Sequence, residues 1–187
     1  MSTLLDLLGA SVIGAMVILV MLNLNIYSSN VKFSSDSELR LQQNAKTLAD
    51  IVSFDLRKIG FGKIETAVIT AQPKKISFYA DIDLNGVVDV ITYQLSDSLA
   101  VLNTTNPRDK ILYRVVNNDT SKGPSLGLVD INFEYLNDKG ISTANLDSIK
   151  YINAELWVES SDMVKDSRGN NSYLFTYWEL TIKPRSI

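Results

Sequence analysis

The sequence predicts an α+β fold, a long N-terminal helix packed on an antiparallel β-sheet domain, and three observations carry that prediction. Residues 7–26 contain no charged side chain, and residues 7–22 are almost unbroken Leu, Val, Ile, Met, Ala and Gly. Leu41, Ala45, Leu48, Val52, Leu56 and Ile59 then recur at three- and four-residue steps, which lays one apolar stripe along a helix. After residue 75 the chain breaks into runs rich in β-branched and aromatic residues, separated by short turn-forming gaps. One helix followed by a strand meander is the element order of an α+β domain.

The first segment is long enough to cross a membrane: at 1.5 Å per residue its uncharged run spans roughly 30 Å, the thickness of a bilayer's hydrocarbon core. No Lys or Arg precedes Lys32 and no small-residue cleavage site follows the run, so the segment reads as an anchor and not as a cleaved secretory signal. Gly9, Ala10, Ser11, Gly14 and Ala15 place small side chains where helices approach closely in an apolar medium, which implies a lateral helical partner. Asp6 stands at the N-terminal edge, a position where the helix dipole favours a carboxylate but where carriage to the bilayer centre would cost about 2.5 to 3.5 kcal/mol.

A polar neck of Ser28, Ser29, Asn30, Ser34, Ser35 and Ser37 follows, and Ser35 with Glu38 has the spacing of a capping box, predicting a new or resumed helix. Arg40, Gln43, Lys46, Asp50, Arg57 and Lys58 lie mainly off the apolar stripe, and Gly60 is expected to cap the helix. Strands are expected over residues 76–80, 87–95, 111–117, 126–135, 149–159 and 173–182. Alternation such as Ile152, Ala154, Leu156 and Val158 against Tyr151, Asn153, Glu155 and Trp157 predicts sheets with one packed face. Asn137-Asp138-Lys139-Gly140 and residues 166–171 read as turns, the second as the mobile tip of a long hairpin. Tyr173, Phe175, Tyr177 and Trp178 are expected to be partly buried and partly exposed by alternation. The chain therefore divides into residues 1–30, a hydrophobic helix, and residues 31–187, a globular domain that includes the amphipathic half of that helix.

Composition excludes several functions. With 187 residues and a net charge of −3, without clustered Lys or Arg, the chain is not expected to bind nucleic acid. It contains neither Cys nor His, which removes disulfides, thiolate zinc sites and Cys-His or Ser-His nucleophilic pairs, so no enzymatic activity is expected.

One stretch could hold an ion. Asp81-Ile82-Asp83-Leu84-Asn85-Gly86-Val87-Val88-Asp89 places oxygen ligands at positions one, three, five and nine of a calcium loop with Gly at six, although Thr92 stands where a bidentate Glu would close it. Asp81, Asp83, Asn85 and Asp89 are thus the candidate ligands of Ca²⁺, the one candidate cofactor. The same residues also read as a plain hairpin connection, since Asn-Gly between strand-like runs is a strong turn signal.

Two segments resemble the type IV pilin and type II secretion pseudopilin superfamily. With Ser2 as the mature N-terminus, Ser2-Thr3-Leu4-Leu5-Asp6 puts an acid fifth, where that family carries Glu. Phe54-Asp55-Leu56-Arg57-Lys58-Ile59-Gly60-Phe61 is similar to the Asp-Leu-Arg-x-Ala-Gly-aromatic stretch closing the long helix of minor pilins of the W type and minor pseudopilins of the J type, with Ile59 in place of Ala. The resemblance implies a structural subunit of a pilus-like or pseudopilus-like filament. It implies that Asp6 neutralises the N-terminal ammonium of a neighbouring subunit, with Gly9, Ala10, Gly14 and Ala15 in the packing face. It further implies a bacterial inner-membrane protein with a single span, extracted by assembly machinery into a periplasmic or extracellular filament of itself or related pilins. Some pseudopilins bind calcium in loops. The alternative is a membrane-tethered extracytoplasmic binding or adhesin domain that does not polymerise.

Overall fold

The computed structural model describes residues 2–62, 66–96, 104–123, 126–165 and 170–185. Helix α1 runs without interruption from Ser2 to Leu56, 55 residues and about 80 Å. The polar neck does not break it, and the Ser35 capping box is not used: Ser35 lies inside the helix. No Gly stands between Gly14 and Gly60, and the first Pro is Pro73. Ser and Asn cost only a few tenths of a kcal/mol each in a helix, less than opening two new ends and nucleating again.

Leu56 ends the helix in a tightened turn, with Lys58 N–H donating to Asp55 O at 2.9 Å and Ile59 N–H to Leu56 O at 3.3 Å. Gly60 stops the chain as predicted, though four residues past the helix proper. Its φ of 79° is left-handed, and its N–H donates to Tyr79 O at 2.8 Å, so the turn is tied to the sheet.

Among the described residues eight strands form two antiparallel sheets. β1 (Val68–Gln72), β2 (Lys75–Ala80), β3 (Asp89–Leu95), β4 (Leu112–Val116) and β5 (Asp119–Lys122) make a five-stranded sheet in that order. β6 (Leu128–Leu136), β7 (Tyr151–Lys165) and β8 (Asn171–Ile182) make a three-stranded one, after a 3₁₀ turn at Leu146–Ser148 between β6 and β7. The division falls after β5, whose Asp-Thr-Ser-Lys sequence is exposed throughout. A strand with no apolar face cannot flank β6, so the chain leaves that edge and starts again. β5 itself has no period-2 pattern to predict it. It exists because Asn117 and Asn118, at φ 47° and 78°, form a two-residue turn that pairs Val116 with Asp119. The six expected strands are all present; β1 and β5 were not foreseen.

The two sheets share one core. The second half of α1 lies along β7 and β8, and Leu41, Ala45, Leu48, Val52 and Leu56 are buried together with Ile152, Ala154, Leu156 and Val158 of β7. Ile131, Phe133 and Tyr135 of β6 and Ile76, Phe78, Ile91 and Tyr93 of β2 and β3 complete the cluster. The sheets are stitched where Phe133 N–H donates to Pro73 O at 2.8 Å and the Tyr135 hydroxyl to Gln72 O at 2.9 Å.

The expected turn at Asn137 is present, its side-chain oxygen accepting from the N–H groups of Lys139 and Ile141. The β7–β8 hairpin is long, pairing Lys165 with Asn171, but residues 166–169 of its tip lie outside the described residues. None of the four β8 aromatics is buried, because alternation gives the core-facing places of β8 to Leu174, Leu180 and Ile182 and puts Tyr173, Phe175 and Tyr177 on the other face. Tyr177 instead leans on Trp157, ring centroids 5.3 Å apart, and its hydroxyl donates to Glu155 or Glu179.

Candidate functional site

The first half of α1 is the largest feature the domain leaves uncovered. Residues 3–33 are exposed throughout, and burial begins only at Ser34. An 18-residue window of mean hydropathy 2.4 is entirely unburied, so the helix is long and apolar enough to span a membrane, which is consistent with single-pass anchoring. Ser2, the candidate mature terminus, is its first residue, and Asp6 is the only charged residue before Lys32.

At 100° per residue, Asp6, Ala10 and Gly14 fall on one four-residue row, so the acid and two of the predicted small residues face the same way. Gly9, three residues from Asp6, lies about 60° to its other side and so shares that face, whereas Ala15 lies about 180° away on the opposite face. A Cβ at Gly9 or Gly14 would meet nothing within 4 Å, so neither glycine is required by this chain's own packing. The helix holds no acid in its first turn: Asp6 sits one residue beyond it, where the dipole has largely fallen off.

The second candidate is the β2–β3 connection. Asp81, Asp83 and Asp89 each bring a carboxylate oxygen within 4.8 Å of the others. Asp81 and Asp89 are buried and Asp83 is exposed. Backbone geometry builds the cup: Leu84 and Gly86 take φ of 62° and 85°, and the Asp81 carboxylate accepts from Asn85 N–H at 3.1 Å and Gly86 N–H at 2.9 Å. Asp89 accepts from Ile82 N–H at 3.3 Å and from the Asn117 amide at 2.5 Å. Three carboxylates this close repel by about 1 to 4 kcal/mol per pair, depending on how wet the loop is. A hard cation at their centre would reverse that term.

Asn85 is not brought into the cup. Its amide donates to Asp83 at 2.8 Å and its oxygen accepts from Val87 N–H at 2.7 Å, which closes a local turn. Thr92 lies in β3 opposite Ser77, the two hydroxyls sharing a 2.8 Å hydrogen bond, so the twelfth loop position supplies no ligand.

Two acids that sequence reasoning left without a role stand out. Asp55 is buried at the end of α1, where its Oδ2 accepts from the Tyr93 hydroxyl at 2.7 Å and from Arg114 Nε at 2.6 Å. Its position beside Val52, Leu56 and Ile59 on the apolar stripe was the available signal, since an acid on a core face needs a partner. Asp109 is only 3% exposed, and its Oδ1 meets no hydrogen-bond partner among the described residues. Burial pushes its carboxyl above the usual range, the Thr104 hydroxyl works against that shift, and the charge of Glu159 adds to it.

No protein-family model, curated protein or solved structure matches the chain.

Proposed function

We propose that this chain is a structural subunit of a filament of the type IV pilin or type II pseudopilin kind, held in the bacterial inner membrane by its first helix before assembly. The observation that carries this reading is the division of α1. Its second half is core, while its first half is strongly apolar, carries no charge except Asp6, is exposed from residue 3 to 33, and bears that acid on one row with Ala10 and Gly14. So much apolar surface must be covered by something. Lipid covers it before assembly, and the same helices of neighbouring copies cover it afterwards, approaching at the small residues. A tether alone would need the apolar length but not an acid aligned with small side chains.

Assembly is the test. Shearing cells that express the chain should release it in fibres visible by electron microscopy, besides the fraction retained in membranes. Recovery in membranes alone would favour the tethered binding domain instead.

The convergence of three carboxylates supports a second element of the proposal, that Asp81, Asp83 and Asp89 bind Ca²⁺. With few protein ligands, the affinity belongs to the weak class of about 10⁻⁴ to 10⁻³ M. Titrating the full-length chain in detergent with 5 mM Ca²⁺ should raise its melting temperature by about 5 °C, and Asp81→Asn should abolish the shift. Absence of both heat and a melting shift at millimolar Ca²⁺ leaves the loop as a hairpin connection only.

A further inference from the structure

A cavity of about 440 Å³ opens where α1 first meets the domain, between Asp36 and Arg40 of the helix and Asp109, Glu159, Ser160 and Asp162. Four acids stand in its wall beside Arg40 and the apolar Phe33 and Leu41. Glu159 is already engaged, accepting from the Asn106 amide at 2.9 Å and from Arg108 at 2.9 Å. Asp109 is engaged on one side only: the Thr104 hydroxyl bonds its carboxyl, but its Oδ1, almost wholly buried at the cavity, has no donor among the described residues. Asp36 and Asp162 stand exposed at the rim with no cation in salt-bridge range among the described residues, and Arg40 pairs with none of these acids. A buried carboxylate oxygen without a donor is a group whose partner arrives from elsewhere.

The opposite end of the domain carries the complementary chemistry. Arg57, just past the end of α1, and Arg185 are exposed and adjacent, the N–H of Arg185 donating to Arg57 O at 3.4 Å. Neither guanidinium has a carboxylate partner among the described residues. They border a cleft of about 450 Å³ with Lys58 and the exposed rings of Phe54 and Phe61, where Asp81 is the one acid against three cations. These are cations free to bind outside their own chain.

We infer that the acidic cavity receives the Arg57 and Arg185 end of a second copy of this chain, joining the globular domains head to tail. The contact rests on the filament reading, which keeps the helices of neighbouring copies parallel. Arg40 and Arg57 are separated by about 25 Å of helix, so the two copies are staggered by about that distance along α1. Such a contact uses two different surfaces of one molecule and does not close on itself, which lets it propagate. This stagger differs from the roughly 6 Å of helix between Ser2 and Asp6, the offset at which the acid of one copy would meet the terminus of another. The two contacts join different pairs within one stack.

The chain has no Cys, so introduced thiols report the contact without background. Met163→Cys and Lys183→Cys are both exposed sites beside the two faces of the contact but outside its charged groups, and the double variant should assemble as the parent does. In sheared fibres, a short bis-maleimide should convert the double variant into a ladder of dimers, trimers and larger species, while each single variant stops at dimer. Fibres that form yet give no ladder beyond the single variants overturn the head-to-tail contact and leave the filament reading standing. Absence of the chain from sheared fibres overturns both.

Discussion

Asp6→Ala is expected to lower the amount of this chain in sheared surface fibres about a hundredfold while leaving its membrane fraction unchanged. In the proposed filament the Asp6 carboxylate neutralises the N-terminal ammonium of a neighbouring copy, and both groups lie among apolar helices. Neither can be there alone. A single uncompensated charge at the centre of an apolar layer costs about 2.5 to 3.5 kcal/mol, which corresponds to roughly two orders of magnitude in assembly equilibrium. Insertion into the bilayer should not suffer, because removing the acid only makes the segment more apolar. The side chain's charge and not its shape is the predicted variable, so Asp6→Asn should fail like Ala, and Asp6→Glu, which keeps the carboxylate on a longer arm, should retain most incorporation. The result that sinks the mechanism is unchanged incorporation of Asp6→Ala. Quantitative immunoblotting of sheared and membrane fractions makes the measurement.

The parts of the fold that could be read in advance are those whose signal is local and repetitive. The stripe from Leu41 to Ile59 lands buried on the sheets because a 3.6-residue period admits one face only. The alternation along β7 puts Ile152, Ala154, Leu156 and Val158 inside for the same reason, with period two. What escaped was set by competition between elements. The serine-rich neck looks like a helix end until the cost of two new termini is weighed against a few weak helix formers. β5 has no apolar pattern and depends on the turn at Asn117 and Asn118. The split into two sheets follows from that polar edge, which no single strand announces.

The candidate sites divide in the same way. Asp81, Asp83 and Asp89 are near neighbours in sequence and one loop gathers them, so spacing alone nominated them. Asn85 shared that spacing but was captured by its own turn, a choice that depends on backbone conformation. Asp109 sits in Asn106-Pro107-Arg108-Asp109-Lys110, which reads as a solvated turn; it is buried where that turn is tied to β7 by the Asn106 amide donating to Ser160 O, some 50 residues away in sequence. Asp55 resembles a surface acid of a helix end until Tyr93 and Arg114 are brought to it from β3 and β4. Partners distant in sequence leave no periodicity to read.

Asp55 therefore makes the largest predicted difference to stability, and Asp55→Ala should destabilise the protein by about 3 kcal/mol. The carboxylate joins the end of α1 to the five-stranded sheet, whereas the helix backbone otherwise runs along β7 and β8 of the other sheet. Burial, followed by the neighbouring Asp55 charge, pushes the Tyr93 hydroxyl far above its ordinary range, and the hydrogen bond to Asp55 raises the Arg114 guanidinium against the opposing effect of its burial. Both groups are thus fixed donors at any pH at which the protein is folded, and they converge on one oxygen. Removing that oxygen orphans a phenol inside the core and a cation at its margin. The loss stays near the lower end of the range for broken buried pairs because Arg114, with its side chain 28% exposed, can turn to water. Tyr93→Phe deletes a donor and leaves the ion pair, so it should cost only about 1 kcal/mol. Asp55→Asn, which keeps an acceptor but not the charge, should fall between them. Thermal melts read this order directly, with Asp55→Ala about 6 to 12 °C below the parent. An Asp55→Ala protein that melts within about 2 °C of the parent would show that the network is not what holds the helix end to the five-stranded sheet.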